Sequence, residues 1–310
     1  MILALAGGVG AARFLDGLTR VLPPEEVYVV GNTADDTEIY GLSISPDLDT
    51  VMYTLAGLAN PVHGWGIQND SFECLAALGQ LGEETWFQLG DRDLATHIFR
   101  TRRLREGVPL SAVTAELAKS LGVRCTLAPM SNDPVRTIVR TRTGKLAFQT
   151  YFVRRRAQDE VLGVQFQGAK KARPTPGLLR AIRDASGIIF CPSNPIVSVG
   201  PILAVPGIRK ALERRKCPSA AISPIVGGAA LKGPAAAMMK SLGMEASALG
   251  VAKIYRGLVD ILVLDKADEA LAPAIEKLGM KTVVTNTIMS GLTEKKKLAR
   301  TVLKAIERHR

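Results

Sequence analysis

Histidine and cysteine are scarce in this chain. Three histidines (His63, His97, His309) and four cysteines (Cys74, Cys125, Cys191, Cys217) are scattered over 310 residues, with no C-x-x-C pair and no histidine near a cysteine. This argues against a zinc framework or a disulfide scaffold, and reads the cysteines as small buried apolar groups. Aromatic residues are only 5%. No helix-turn-helix, zinc-finger, RNP or KH signature is present, so no nucleic-acid partner is expected. No apolar run approaches the roughly 20 residues of a membrane helix. The opening Met1-Ile2-Leu3-Ala4-Leu5-Ala6 is apolar but stops at Gly7-Gly8 and has no basic segment before it. It is expected to be a strand rather than a signal peptide, and the chain to be cytoplasmic with no membrane partner. Catalysis would then rest on carboxylates, backbone amides and arginines.

What is present is ordinary in bulk. Hydrophobic residues make up 47% and charged residues 22%, which excludes a disordered, collagen-like or coiled-coil chain. The length allows one large or two modest domains with a full core. The formal net charge is +11, with clusters at Arg100/Arg102/Arg103/Arg105, Arg154-Arg155-Arg156, Lys170-Lys171, Arg214-Arg215-Lys216 and Lys295-Lys296-Lys297. Such a balance attracts anions; taken singly, most of these clusters read as solvated helix faces.

The order of elements predicts an α/β fold. A strand over residues 2–6, the loop GGVGA, a helix to about Arg20 and a strand at Val27–Val30 form a β-loop-α-β opening. Short apolar runs at 188–190, 220–222, 261–264 and 282–284 repeat the theme, and a charged helix closes the chain from about Thr293. Residues 48–122 read mostly as helices. Residues 135–168 read as a hairpin with Thr143-Gly144-Lys145 at its turn and Ala147–Phe152 as its second arm. The expectation is a doubly wound, mostly parallel Rossmann-like sheet. It would form a single α/β domain over 1–310, with an inserted helical and hairpin subdomain at about 60–170. Ligands of such sheets bind beyond the carboxyl ends of the strands, where strand order reverses.

Several loops there carry polar chemistry. Gly7-Gly8-Val9-Gly10 after the first strand lets the backbone approach an anion at a helix N-terminus. It fits neither standard phosphate motif. The G-x-G-x-x-G pattern ends in Arg13, the second strand ends in Gly31-Asn32 without a ribose-binding acid, and no G-K-[ST] is present. Asp35, Asp36, Asp47 and Asp49 place four carboxylates within fifteen residues. Capping by Ser45 or Asp47 accounts for one or two of them; magnesium held by one or two carboxylates and substrate phosphates would use the others. Arg92, between Asp91 and Asp93, suits either a surface ion pair or an oriented guanidinium. Pro192-Ser193-Asn194-Pro195 and Ser223-Pro224-Ile225-Val226-Gly227-Gly228 each follow a strand and form rigid polar loops at the same edge.

Taken in order, GGVGAARFL (7–15), GNTADD (31–36), ISPDLDTVMYTL (44–55), GWGIQND (64–70), LGDRDLATHI (89–98), PMSNDPV (129–135), PSNPIVSVGPI (192–202) and SPIVGG (223–228) resemble the 2-phospho-L-lactate transferase family. The resemblance runs to about residue 290. It implies magnesium-dependent transfer of a phospholactyl, phosphoenolpyruvyl or phosphoglyceryl group. The donor would be a guanosine diphosphate-linked compound and the acceptor the ribityl hydroxyl of the deazaflavin Fo, 7,8-didemethyl-8-hydroxy-5-deazariboflavin. GMP would leave, and coenzyme F(420)-0 or its dehydro form would result. It further implies that Asp49 and Arg92 contact Fo, with Asp49 also the catalytic carboxylate. Gly7, Gly8, Gly10, Asn32, Ser193 and Asn194 would line the nucleotide side. Magnesium would draw on the four aspartates, with Asp36 and Asp49 the named ligands. The family also suggests a homodimer. The alternative is a non-catalytic nucleotide-sugar-binding regulator of the related gluconeogenesis-factor family, which shares the glycine loop.

Overall fold

Ile2–Ala6 (β1) is apolar and buried at every position, as required of a strand covered on both faces. In a computed structural model describing residues 1–230 and 233–309, β1 lies third from one edge of a seven-stranded sheet. The other members are β2 (Val27–Gly31), β3 (Thr126–Pro129), β4 (Gly187–Phe190), β5 (Ser219–Ile222), β6 (Ile261–Asp265) and β7 (Lys281–Thr285). Their spatial order is 3-2-1-4-5-6-7, and every neighbouring pair is parallel. Ala4 is in register with Val29 on one side and Ile189 on the other. The order reverses between β1 and β4, so the carboxyl ends of those two strands frame the switch point.

Alternate residues of the strands feed two cores. Leu3, Leu5, Ile188, Phe190, Leu262 and Leu264 face one layer, with Leu178, Ile182, Ile202 and Val251 from helices of the second half. Ala4, Val27, Val29, Ile189, Ile261 and Val263 face the other. That layer is built from α1 (Gly8–Leu18), α2 (Pro46–Leu55) and the closing helix Leu292–Glu307, the last docking through Leu298, Val302 and Ile306. The two-sided cover is the expected doubly wound arrangement. Each fully buried Leu, Ile or Val contributes about 1.5–3 kcal/mol. Cys125 and Cys191 are buried within these layers. Among the described residues no helix is long and apolar enough to cross a membrane.

The middle of the chain departs from the sequence reading in two places. Between β2 and β3 lie α2, α3 (Glu73–Gln80), α4 (Asp91–Arg105) and α5 (Leu110–Ser120), so the helical stretch stands. Thr126–Pro129 then returns to the edge of the central sheet as β3, dividing the segment at about 60–170 into two excursions. The second is a three-stranded antiparallel sheet in the order Gly144–Ala147, Arg136–Thr141, Gly163–Gln167. The hairpin's second arm ends at Ala147; Phe148–Phe152 is not strand. Thr150–Arg154 coils as a π-helical turn, with Phe148 stacked on Phe152 at a 5.5 Å ring separation. Coiling buries Phe148 and Tyr151 against Val139, Val161, Val197 and Met238, which docks the small sheet onto the segment after β4.

Candidate functional site at the sheet switch point

The loop after β1 is held tightly to the loop after β4. Ser193 Oγ donates to the Gly7 carbonyl at 2.9 Å and accepts the Gly7 amide at 3.3 Å. A Cβ on Gly10 would run into the Pro192 carbonyl, so only glycine permits this approach of helix start to loop. A Cβ on Gly7 would come within 2.6 Å of Ser198 Cβ and 2.8 Å of Asp47 Oδ2. Gly8 is left-handed at φ +70°, a conformation that glycine adopts without penalty. Asn194 turns inward on its own loop, its Oδ1 accepting the amides of Ile196 and Val197.

Asn32, fully buried after β2, joins these loops to the acidic residues. Its Nδ2 donates to Asp35 Oδ2 (3.1 Å), Asp47 Oδ2 (2.9 Å) and the Val197 carbonyl (3.3 Å), while its Oδ1 accepts the Ala34 amide. Asp36 Oδ2 accepts the Ser45 hydroxyl at 2.9 Å. Ser45 precedes α2 but makes no side-chain cap to it, so the capping role open in the sequence goes instead to holding Asp36. Burial pushes Asp36 up to about 8, against the pull of Arg136 and Arg100. Burial likewise raises Asp47 to about 6, against its bonds from Asn32 and the Gly8 amide. Asp35 is raised by burial and then by the neighbouring Asp47 charge. Asp35 Oδ1, Asp36 Oδ1 and Thr33 Oγ1 are buried without a hydrogen-bond partner. Carboxylates crowded in this way, with unused oxygens, have the character of a cation site.

Asp49, two residues beyond Asp47 on α2, has different surroundings. It is buried, and both carboxylate oxygens engage the guanidinium of Arg100: Oδ2 at 3.1 Å from Nη1, Oδ1 closely with Nη2. Arg100 is only 1% exposed. Burial opposes its charge, yet the Asp49 carboxylate raises its pKa. The His97 ring lies beside the pair, with Nδ1 3.2 Å from Arg100 Nη1 and Nε2 3.1 Å from Asp93 Oδ1. Tyr53 Oη donates to the same Asp93 oxygen at 2.6 Å. Burial opposes ionisation of Asp93, but His97, Tyr53 and Arg100 hold its carboxyl below the usual range.

Arg92 stands apart from this buried set. Two aspartates tie its neighbourhood together by exchanging caps. Asp70 accepts the amides of Arg92 and Asp93 at the start of α4, and Asp91 accepts those of Glu73 and Cys74 at the start of α3. The Arg92 guanidinium reaches the Gln68 carbonyl at 3.2 Å and remains exposed. Eight residues of helix separate it from Arg100, a rise of about 12 Å.

The structure thus gathers Gly7, Gly8, Gly10, Asn32 and Ser193 at the switch point, with Asn194 bracing the adjoining loop. Asp36 lies close enough to Asp49 and Arg100 for all three charges to interact. Arg92 lies at the outer end of α4. Arg100 is not part of a solvated basic face; among the described residues it is the largest fully buried side chain. His97, Asp93 and Tyr53 carry no site role in the sequence reading, where Asp93 is only an acid beside Arg92. The signal was present nonetheless. Asp93, Thr96, His97, Arg100 and Thr101 fall on one face of α4 at i, i+3, i+4, i+7 and i+8, and all are buried.

A Rossmann-order sheet with a glycine loop and an acidic cluster at its switch point defines a doubly wound α/β protein whose polar loops gather where such folds bind their ligands. The family model described as 2-phospho-L-lactate transferase CofD matches residues 2–307. The chain belongs to this family, and so to the transferases of coenzyme F(420) biosynthesis. A 2-phospho-L-lactate transferase from Methanosarcina mazei is 40% identical over 304 residues, covering 98% of this chain and 100% of its own. A phosphoenolpyruvate transferase from Streptomyces griseus is 42% identical, covering 99% and 98%. One from Streptomyces avermitilis is 44% identical, covering 99% and 98%. A crystal structure of a upf0052 family member from Bacillus halodurans has the same fold, with a TM-score of 0.66 over 97% of this chain and 98% of its own. At 16% identity that likeness concerns the fold alone.

Proposed function

We propose that the protein transfers a phospholactyl, phosphoenolpyruvyl or phosphoglyceryl group from a guanosine diphosphate-linked donor to the ribityl hydroxyl of Fo. The hydroxyl attacks the phosphorus that bears the lactyl, enolpyruvyl or glyceryl oxygen, giving up its proton to solvent. The bond from that phosphorus to the bridging oxygen of the nucleotide breaks, GMP leaves, and coenzyme F(420)-0 or its dehydro form results. The observation that carries this reading is the cluster in which the Gly7–Gly10 loop, Asn32, Ser193 and the acidic loop are hydrogen-bonded together at the switch point. Phosphoryl transfer asks a protein chiefly for positioning and charge neutralisation. Backbone amides of the glycine loop would receive the diphosphate, and Asp49 and Arg92 would meet the deazaflavin.

Magnesium is the expected cofactor, and the residues fit it. Asp35 Oδ1 and Asp36 Oδ1 are buried hard oxygens without partners, and Asp47 borders the glycine loop. Among the described residues no three His, Cys, Asp or Glu side chains form a ready cage. That suits an ion which keeps its waters and shares substrate phosphates. Both oxygens of Asp49 are already engaged by Arg100, which favours Asp36, Asp35 and Asp47 over Asp49 as ligands. When bound, the ion would neutralise charge on the diphosphate. A homodimer remains the expected assembly, to be checked by light scattering.

The test is a mass-spectrometric assay with purified protein, Fo, magnesium and each of the three donors supplied separately. GMP release with a new phosphodiester of Fo is expected, and the donor ranking identifies the substrate. Guanine nucleotide binding without product from any donor would point to the regulator instead. Asp49→Asn should lower turnover at least about a hundredfold in a folded protein; near-normal activity would remove it from the site. Arg92→Ala should weaken use of Fo while guanine nucleotide binding is kept, and equal loss of both would refute that division of labour.

A further inference from the structure

We infer that Arg100, backed by His97, Asp93 and Tyr53, is a positioning unit that fixes the plane of the Asp49 carboxylate for its contact with the deazaflavin. The inference rests on the reading of Asp49 as an Fo contact and assigns the residues that set its orientation.

The direction of each hydrogen bond follows from chemistry. A guanidinium only donates, so the His97 Nδ1 that lies 3.2 Å from Arg100 Nη1 must accept. The ring proton is therefore on Nε2, which faces Asp93 Oδ1 at 3.1 Å, though imperfectly aligned for a full hydrogen bond. Asp93 Oδ1 also accepts Tyr53 Oη at 2.6 Å. The set therefore runs from Tyr53 and His97, both facing Asp93, through Arg100 to Asp49. Two helices supply it, α2 with Asp49 and Tyr53 at i and i+4, α4 with Asp93, His97 and Arg100 at i, i+4 and i+7.

Packing alone does not call for this arrangement. Replacing a buried ion pair by apolar side chains is often neutral or stabilising, so a polar stripe between two helices is poorly explained by stability. What the fork of Arg100 provides is a fixed plane for the Asp49 carboxylate. The same helix also secures the approach to Asp36. Thr101 Oγ1 accepts the Ser43 amide at 2.8 Å, and Arg100 Nη1 reaches the Ser43 carbonyl at 3.4 Å. Ser43 lies two residues before Ser45, whose hydroxyl holds Asp36. One face of α4 thereby sets both carboxylates.

The experiment is steady-state kinetics of Arg100→Lys with donor and Fo varied separately, together with calorimetric binding of GMP. Lysine keeps the charge and loses the fork. Expected is a fall in kcat/KM for Fo of about tenfold or more, the scale of losses from a displaced contact. The Kd for GMP should stay within about twofold, the usual scatter for an uncoupled site. In an Asp49→Asn background, Arg100→Lys should then add no more than about twofold. Equal loss towards both substrates, or a full multiplicative effect in the double variant, overturns the assignment. Unchanged use of Fo by Asp49→Asn alone would instead sink the underlying reading of Asp49, so the two failures are distinct. If Arg100→Lys does not fold, His97→Gln replaces it. An about threefold or larger fall in kcat/KM for Fo with GMP binding intact is then expected, since the backing of Arg100 is weakened. Wild-type kinetics in folded His97→Gln would overturn the positioning unit.

Discussion

Asp36 titrates near 8 in the folded protein, against about 3.8 in the free side chain, chiefly because burial disfavours its charge. The folded state therefore holds the proton while the unfolded chain has already released it. Stability from this group is complete below about pH 4 and is lost as pH rises toward 8. Asp47, raised to about 6, follows the same course over a narrower window. We expect the Tm of the ligand-free protein to fall between pH 5 and 8, and Asp36→Asn to flatten that fall. At pH 8 the variant should melt at least about 2 °C above wild type, the shift that roughly 1 kcal/mol produces in a large domain. Added magnesium should raise the wild-type Tm at pH 8 and move the variant far less. Scanning calorimetry across this range checks both; a variant no more stable than wild type at pH 8 would mean that the buried charge is not strained. The four aspartates were visible in the sequence because their density exceeded what capping needs. Arg100 and His97 were not, because a single chain shows charge but not depth. Arg100 sits beside Arg102, Arg103 and Arg105, and only its phase on α4 separates the buried guanidinium from exposed Arg102.

At the level of elements, helix α1 offers a clean comparison between its two ends. A Cβ on Gly10 would meet the Pro192 carbonyl at the site, and one on Gly17 would meet the Lys295 backbone of the closing helix. Both obstacles are backbone, so neither yields by a change of rotamer, and each alanine should cost about 1–3 kcal/mol as overpacking does. The functional effects should part. Gly10→Ala is expected to weaken GMP binding at least about tenfold (roughly 1.4 kcal/mol), because it separates the β1 and β4 loops. Gly17→Ala should bind normally in its folded fraction. Melting curves paired with calorimetric titration decide it, and equal binding by the two variants would detach the glycine loop from the nucleotide. Six of the seven central strands were legible as apolar runs, because parallel strands buried on both faces leave little else in the sequence. Thr126–Pro129 escaped notice, being a four-residue edge strand closed by proline. Phe148–Phe152 misled in the other direction. Its aromatics favour a strand, but a π-helical turn buries Phe148 and Tyr151 against Val197 and Met238, contacts visible only once the small sheet is docked on the β4 loop.

On the scale of the whole molecule, the charge is divided against itself. The surplus of eleven positive charges is spread over exposed residues such as Arg154, Arg156, Lys170, Lys171, Arg214 and Lys216. The switch point is the acidic floor of the candidate site, crowded with Asp35, Asp36 and Asp47. The proposed donor, with two phosphates and a carboxylate, would be drawn by the first and, once the aspartates are ionised, repelled by the second. The surface contribution acts through solvent and fades beyond a Debye length of about 10 Å at 0.1 M salt. The floor acts at contact and is screened much less. Two dependences should therefore separate. Raising salt from about 0.05 to about 0.5 M at saturating magnesium, which shortens the Debye length roughly threefold, should lower kcat/KM for the donor several-fold, and that for Fo, which carries no phosphate, much less. Chelating magnesium at low salt and above the pH of about 8 at which Asp36 gives up its proton should abolish donor binding while leaving Fo binding measurable, because ionised, uncompensated carboxylates would then face the diphosphate. Donor binding that survives chelation would show that the amides and surface cations suffice alone, and would remove the acidic floor from the nucleotide side.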